Sequence, residues 1–365
     1  MTAAVRRVFV DAAIVKPNLG GLRTYIRSLV GALHDRGDLE LAVATSRPEE
    51  FAHAPEAELV AVPRSTQSFT TRAAWREANL ARLVARTRAD VVLIPYPEMT
   101  ARRARVPTVM VLHDVRAVVA PRYDTTGRRL RFVTALGPAC RAASHVVCVS
   151  EFTRLSLDAT VRLDPAKVTV IGEAASTQIT VPPDVRAPAR PFVLYVGSLM
   201  PHKNVDTLVR AFALGGIEHD LVLVGPTRPA ESKHINALIH ELGCNRRVHF
   251  VGWVDDSELG RLYGTARSVV IPSIHEGFGL PLLEAMHNGT PVVASDIPAF
   301  REIGGGHVLL VDRPLDPVAW RDALARLATD APDVAAAAEW AARFTWDDVG
   351  GQFVKLFENL VEAAP

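Results

Sequence analysis

Short valine-rich runs that alternate with amphipathic stretches constrain this chain more than any other feature. In its first half "RVFVDAAIV", "ELAVATS", "DVVLIP", "VPTVMVLHD", "HVVCVS" and "KVTVI" are apolar at consecutive positions and bounded by polar or turn residues. A strand that is apolar on both faces must be covered on both, which is the condition of a parallel sheet between two helix layers. Helical patterns such as "GLRTYIRSLVGALHDRG" and "RRLRFVTALGPACRAAS" lie between the runs. This alternation specifies an α/β fold built on doubly wound sheets.

The pattern breaks at "TVPPDVRAPARP", where Pro182, Pro183, Pro188 and Pro191 exclude the interior of a helix or sheet. It resumes with the strands "FVLYVG", "DLVLVG", "RVHFVG", "SVVIPS", "PVVAS" and "HVLLVD", with helices such as "NVDTLVRAFAL" and "SELGRLYGTA" between them. A chain of 365 residues also exceeds what one core usually serves. We expect a Rossmann-like N-terminal domain over 1–180, a proline-rich linker over 181–191, a Rossmann-like C-terminal domain over 192–345 and a closing helix over 346–365. Two such domains would take a ligand in a cleft where the carboxyl ends of their strands face each other.

Composition narrows the function classes. With 48% hydrophobic and 22% charged residues the chain is ordinary globular protein, not a disordered one. A net charge of +1 predicts no general attraction to nucleic acid, but the charge is unevenly spread. Residues 1–180 hold 25 Lys and Arg against 17 Asp and Glu, and the remainder holds 16 against 23. The basic first half either meets an anionic surface or acceptor or presents a solvated Arg-rich face. Cys140, Cys148 and Cys244 have no CxxC or metal-like spacing, which fits a reducing compartment. The opening "MTAAVRRVFVDAAIV" reads as a strand, not a signal peptide, and no apolar run approaches the roughly 18 residues of a membrane span. A cytoplasmic protein, soluble or peripheral at the inner face of the membrane, is expected.

The stretch "EGFGLPLLEA" places Glu276 and Glu284 eight positions apart, with glycines, a proline and leucines between them. Three readings compete: a pair of catalytic acids, a clip for an anionic and hydroxylated ligand, or a plain strand-to-helix turn with a solvated Glu at each end. Pro281 suits a first helical turn, and Asn288-Gly289 suits a helix end. The amides of Gly277, Phe278, Gly279 and Leu280 would then open a helix, where the dipole and free N–H groups favour an anion such as pyrophosphate. Two glycosidase acids would need to lie roughly 5 to 9.5 Å apart, and amides between them would serve no hydrolysis.

Three weaker signals accompany it. In "LYVGSLMPHKN", Lys203 stands after a strand and just before a helix with Asn204 as the expected N-cap, placed to neutralise a phosphate or merely to lie on the surface. In "NLGGLRTYIRSLV", Gly20 and Gly21 join the first strand to the first helix, as a phosphate loop or a plain turn. In "VMVLHDV", His113 and Asp114 end a strand, where a histidine packs as often as it catalyses.

Taken together, "EGFGLPLLEAM", "VGSLMPHKN", "FVGWV" followed by "LGRLYGTA", "GTPVVASD", the early glycine pair, "LHD" and "CVSEFT" resemble glycosyltransferase family 4, retaining enzymes of the GT-B fold, over essentially the whole chain. The chain is similar in flavour to bacterial polysaccharide and O-antigen mannosyltransferases. The resemblance implies two Rossmann-like domains facing across a cleft, with "FTWDDVGGQFVKLFENL" as a terminal helix returning to the first. It implies transfer of a hexose, mannose-like first, from a GDP- or UDP-linked donor to a hydroxyl of a glycan, lipid-linked or small-molecule acceptor.

By the same resemblance Glu284 would bind the ribose and Glu276 the transferred sugar. The amides of Gly277 to Leu280, with Lys203, would hold the diphosphate, and Gly20 or Gly21 would lie against it. His113 would touch the donor sugar or the acceptor near the reacting carbon, and Gly252, Trp253 and Val254 would border the base. The leaving phosphate would take the acceptor's proton, with neither metal nor cofactor.

Two departures stand out. Members of the family carry an arginine at either the Ser198 or the His202 position, so one fixed charge is missing or pH-dependent, and "IGEAAS", with Glu173, replaces the usual Asn-Gly. A sugar-nucleotide epimerase, a phosphorylase using a pyridoxal lysine, and a non-catalytic binding protein of the same fold are the competing classes.

Overall fold

A computed structural model describes residues 5–17, 19–98, 105–123, 126–176, 190–226, 228–327 and 332–364, without the side chains of 128 and 131. The chain divides into two compact units, one formed by residues 1–173 and 345–365 and the other by 174–344. Most of the proline-rich segment expected over 181–191 lies outside the described residues.

The first unit contains β1 (Arg7–Asp11), α1 (Gly21–Asp35), β2 (Glu40–Thr45), β3 (Glu58–Ala61), α2 (Phe69–Thr87), β4 (Val91–Ile94) and β5 (Thr108–Leu112). It continues with α3 (Arg116–Val119), α4 (Thr126–Ala142), β6 (His145–Cys148), α5 (Glu151–Asp158) and β7 (Val168–Val170). The second contains β8 (Phe192–Val196), α6 (Val205–Ala213), β9 (Asp220–Val224), α7 (Pro229–Glu241), β10 (Val248–Gly252), α8 (Asp256–Thr265) and β11 (Ser268–Ile271). It ends with α9 (Leu280–His287), β12 (Val292–Ser295), α10 (Pro298–Gly304), β13 (Leu309–Val311), α11 (Pro317–Arg326) and α12 (Val334–Ala341). The last helix, α13 (Trp346–Glu362), belongs to the first unit.

Among the described residues the first sheet runs β3-β2-β1-β4-β5-β6-β7 and the second β10-β9-β8-β11-β12-β13, all pairs being parallel. Twelve of these strands coincide with the twelve valine-rich runs, and the reason is burial. β4, β5, β6, β11 and β12 are buried at every position, so no polar face interrupts them. The exception is β3, an edge strand with one buried residue, Val60. In each sheet the strand order reverses once, between β1 and β4 and between β8 and β11. Beside such a reversal the loops diverge from the carboxyl ends of the two strands and open a crevice, the usual ligand position of a doubly wound sheet.

Each unit buries its own core. In the second, Trp320, Leu208, Phe212, Leu223 and Ile235 pack with Val270 and Val293 of the sheet. In the first, α13 packs on α1, with Phe353 and Phe357 fully buried. The rings of Tyr25 and Trp346 meet at 5.7 Å, and Gly350 allows close approach, since a Cβ there would lie 3.2 Å from the Ala32 carbonyl.

Candidate active site

The crevice of the second sheet is built from the loops after β8 and β11. The loop after β8 is fixed from below by Tyr195, whose buried hydroxyl donates to the Ser198 carbonyl at 2.5 Å. Gly225 must be glycine here, because a Cβ with its φ of +143° would sit 2.2 Å from the Gly197 carbonyl oxygen. The loop ends in a single 3-10 turn, Pro201–Lys203, whose last residue reaches across the sheet reversal. Lys203 Nζ donates to Glu276 Oε1 at 2.5 Å, and both side chains are largely shielded. The two candidate residues thus form one ion pair joining the two loops, 73 positions apart in the chain.

Asn204 corrects an expectation. It occupies the N-cap position of α6, but with φ of +56° its side chain makes no capping bond. Its amide instead donates to the carbonyls of Pro272, at 3.1 Å, and Pro314, at 2.7 Å, while its oxygen accepts from Thr207. One side chain therefore ties the loop after β8 to those after β11 and β13. A left-handed conformation costs a non-glycine residue energy, and these three bonds offset it.

The loop after β11 turns into α9 at Gly279, whose φ is +112° and where a Cβ would lie 2.8 Å from the Phe300 ring, leaving no room for a side chain. Pro281 stands in the first turn, and Asn288 with Gly289 ends the helix, as its sequence predicts. The amides of Phe278, Gly279 and Leu280 donate to no backbone acceptor among the described residues, although all three residues are buried. The first N–H groups of a helix have no partner within it, and three of them together in a turn of buried residues mark a place that favours an anion. Glu284 lies in the second turn of α9, buried, and its Oε2 accepts from Tyr263 at 2.8 Å. Burial and the neighbouring carboxylate push the Tyr263 phenol well above its ordinary value, so it remains a donor that orients Glu284.

The other candidates fall around this centre. His202 is buried in the turn before Lys203, and its carbonyl accepts from Ile274. Gly252, with φ of +84°, ends β10, its carbonyl accepting from Gly225; Trp253 follows, 58% exposed, and Val254 is half-buried.

In the first unit Gly20, at φ +68° and ψ −146°, takes a conformation open almost only to glycine and places Gly21 as the first residue of α1. His113 follows β5, its Nδ1 2.9 Å from Glu173 Oε1 and its Nε2 3.0 Å from the Pro95 carbonyl. Burial pulls His113 down, but the Glu173 hydrogen bond and charge, Pro95 and Asp114 outweigh it and the net direction is up.

Sequence reasoning missed a charged network at the first sheet's reversal. Arg76 of α2, fully buried, donates to Asp11 Oδ2 at 2.5 Å and to the Tyr96 hydroxyl, which donates in turn to Asp11 Oδ1 at 2.9 Å. Glu98 accepts from both Arg72 and Arg76. The available signal was Asp11 itself, a carboxylate closing the buried strand "RVFVD". Among the described residues no group of three His, Cys, Asp or Glu is arranged to hold a metal ion, and no helix is long and apolar enough to cross a membrane.

Two parallel-sheet units of this topology define the GT-B class, and solved structures agree. Sucrose-phosphate synthase from Thermosynechococcus elongatus matches with a TM-score of 0.81 at 22% identity, over 98% of this chain and 100% of that one. HepE of Anabaena, in complex with UDP and glucose, matches with a TM-score of 0.76 at 21% identity, over 97% and 100%. Residues 19–178 match the family described as Glycosyltransferase Family 4, and residues 182–343 that described as Glycosyl transferases group 1. The chain belongs to the family 4 glycosyltransferases. It is 29% identical over 241 residues to the O-antigen chain mannosyltransferase RfbU of Salmonella typhimurium, covering 66% of each chain. To O-antigen chain mannosyltransferase B of Escherichia coli it is 30% identical over 223 residues, 56% of this chain and 57% of that one. The chain thus spans between about half and two thirds of the length of these two relatives.

Proposed function

We propose that this chain is a retaining hexosyltransferase that moves a mannose-like sugar from a GDP- or UDP-linked donor to a hydroxyl of a glycan, lipid-linked or small-molecule acceptor. The observation that carries the reading is the Lys203–Glu276 pair, together with the amides at the start of α9 that donate to no backbone acceptor among the described residues. Departure of a nucleoside diphosphate builds negative charge while the sugar becomes oxocarbenium-like. Fixed donors aimed at that charge lower the barrier most effectively where water is excluded. Lys203 and the amides of Phe278, Gly279 and Leu280 are such donors, and no metal ion or cofactor is invoked. Glu276 holds hydroxyls of the transferred sugar, and the diphosphate itself accepts the acceptor's proton on the face it leaves. Retention then requires no enzyme nucleophile.

The mannosyltransferases among the relatives support mannose, and the UDP and glucose bound by HepE support a sugar nucleotide as donor. Glu284, oriented by Tyr263, takes the ribose hydroxyls. Glu284→Ala is expected to weaken donor binding by about 1.5–3 kcal/mol, roughly tenfold to a hundredfold. Calorimetry with GDP-mannose and UDP-glucose measures it, and unchanged affinity for whichever donor binds the parent removes Glu284 from the site. Release of nucleoside diphosphate that depends on an added acceptor separates transfer from epimerisation and from mere binding.

The basic first unit suits an acceptor held at an anionic membrane. Val119, Leu130 and Val133 are exposed apolar residues on α3 and α4, near the exposed Arg122 and Arg129. Each basic residue at such a surface contributes about 1 kcal/mol. Sedimentation with phosphatidylglycerol vesicles at low salt is the expected result, and a protein left in the supernatant assigns this face to solvent.

A further inference from the structure

Glu173, in the "IGEAAS" segment that follows β7, meets the histidine at the end of β5. His113 lies between two acceptors: the Pro95 carbonyl, 3.0 Å from Nε2, and Glu173 Oε1, 2.9 Å from Nδ1. A carbonyl has no proton to give, so Nε2 must carry one. With Nε2–H fixed in this way, a neutral ring would turn the lone pair of Nδ1 toward a carboxylate, and two lone pairs at this distance repel. A proton must therefore bridge Nδ1 and Glu173. It belongs to the ring, because an imidazole is the stronger base of the two by about two pK units.

The surroundings reinforce this. Glu173 is buried, and a buried carboxylate is strongly disfavoured unless paired. Tyr25 of α1 lies edge to face against the His113 ring, with centroids 4.6 Å apart. Burial, with the Glu173 charge, raises the Tyr25 phenol, so it stays neutral and supplies no competing charge. Asp114 is the other titratable group beside the ring and adds negative charge, while its Oδ1 accepts from the Arg116 amide at 3.0 Å. No cation is recorded facing the ring among the described residues, and the resulting direction for His113 is upward against its burial.

We propose that Glu173 is a positioning residue that locks His113 as a doubly protonated ring, so that His113 serves as a fixed positive charge, its two N–H groups held by Pro95 and Glu173, and never as a proton acceptor. A histidine with both nitrogens committed has no lone pair with which to deprotonate an acceptor hydroxyl. This charge state stands on geometry alone; its effect on sugar transfer rests on the transferase reading. Because the folded ring holds its proton more tightly than the unfolded one, its contribution to stability is complete below about pH 6.5. That contribution is lost as pH rises through the higher folded value.

Nitrogen-15 spectra of histidine-labelled protein test the lock, with His113 assigned by the resonances missing from His113→Gln. Two protonated, closely spaced ring nitrogens at neutral pH are expected. One protonated and one bare nitrogen in the parent protein would overturn the proposal, whether or not any variant folds. In Glu173→Gln the ring should lose its proton at lower pH, and the alkaline limb of kcat/KM should move to lower pH with it. A rate reduced equally at every pH, with the limb unmoved, would reduce Glu173 to a packing residue. An imidazolium found in a protein that transfers no sugar would leave the lock standing and remove the transferase reading.

Discussion

Lys203→Ala is expected to lower kcat by about 10²–10³ at saturating donor, the scale of losing one fixed donor to a developing negative charge. In the free protein Lys203 is already paired with Glu276, so the second crevice carries balanced charge before any donor arrives. Arrival of a diphosphate changes that balance: the ammonium gains a second anionic partner, and its attraction grows as the sugar–phosphate bond breaks. The loss should therefore appear mainly in kcat. Lys203→Arg keeps the charge, but a planar fork replaces a compact point charge and should restore only part of the rate. Steady-state kinetics on Lys203→Ala, Lys203→Arg and the parent decide the matter. A Lys203→Ala enzyme within about twofold of the parent would place the diphosphate elsewhere.

Arg76→Ala is expected to destabilise the first unit by about 3–5 kcal/mol, the typical result of removing one member of a buried ion pair. Both Arg76 and Asp11 are essentially inaccessible, and Tyr96 and Glu98 are arranged around the same guanidinium. Without it Asp11 is left as a buried carboxylate whose remaining hydrogen-bond partners among the described residues are Tyr96 and the Ala13 amide. The double variant Arg76→Met with Asp11→Asn removes both charges and should recover much of the loss, since a buried pair often adds little net stability beyond an apolar or neutral substitute. Urea unfolding followed by tryptophan fluorescence compares the three proteins. A single variant as stable as the parent would show that water reaches Asp11 in solution.

These two sites illustrate what a linear sequence discloses. The anion-favouring turn was legible because its parts are local: strand, glycines, Pro281 and the end of α9 all fall within some twenty residues, and their conformational preferences are intrinsic. Strands buried on both faces are legible for a similar reason. No local pattern in α2 marks Arg72 and Arg76 as buried. Their burial depends on Asp11, 65 positions from Arg76 in β1, and on Tyr96 and Glu98, 20 and 22 positions from it in the loop after β4. His113 and Glu173 were each noticed separately, but their contact spans 60 residues and no local spacing encodes it. Asn204 was assigned the right position and the wrong bonds, because its partners Pro272 and Pro314 come from distant loops.

The first unit owes its completion to residues 346–362, which a ribosome makes only after the whole second unit. Until they emerge, the side of α1 that α13 will cover, with Tyr25 and Ala32, stays wet, so the nascent first unit waits with an uncovered greasy flank. Folding in the cell is thus a loop in time, with the earliest-made half finished last.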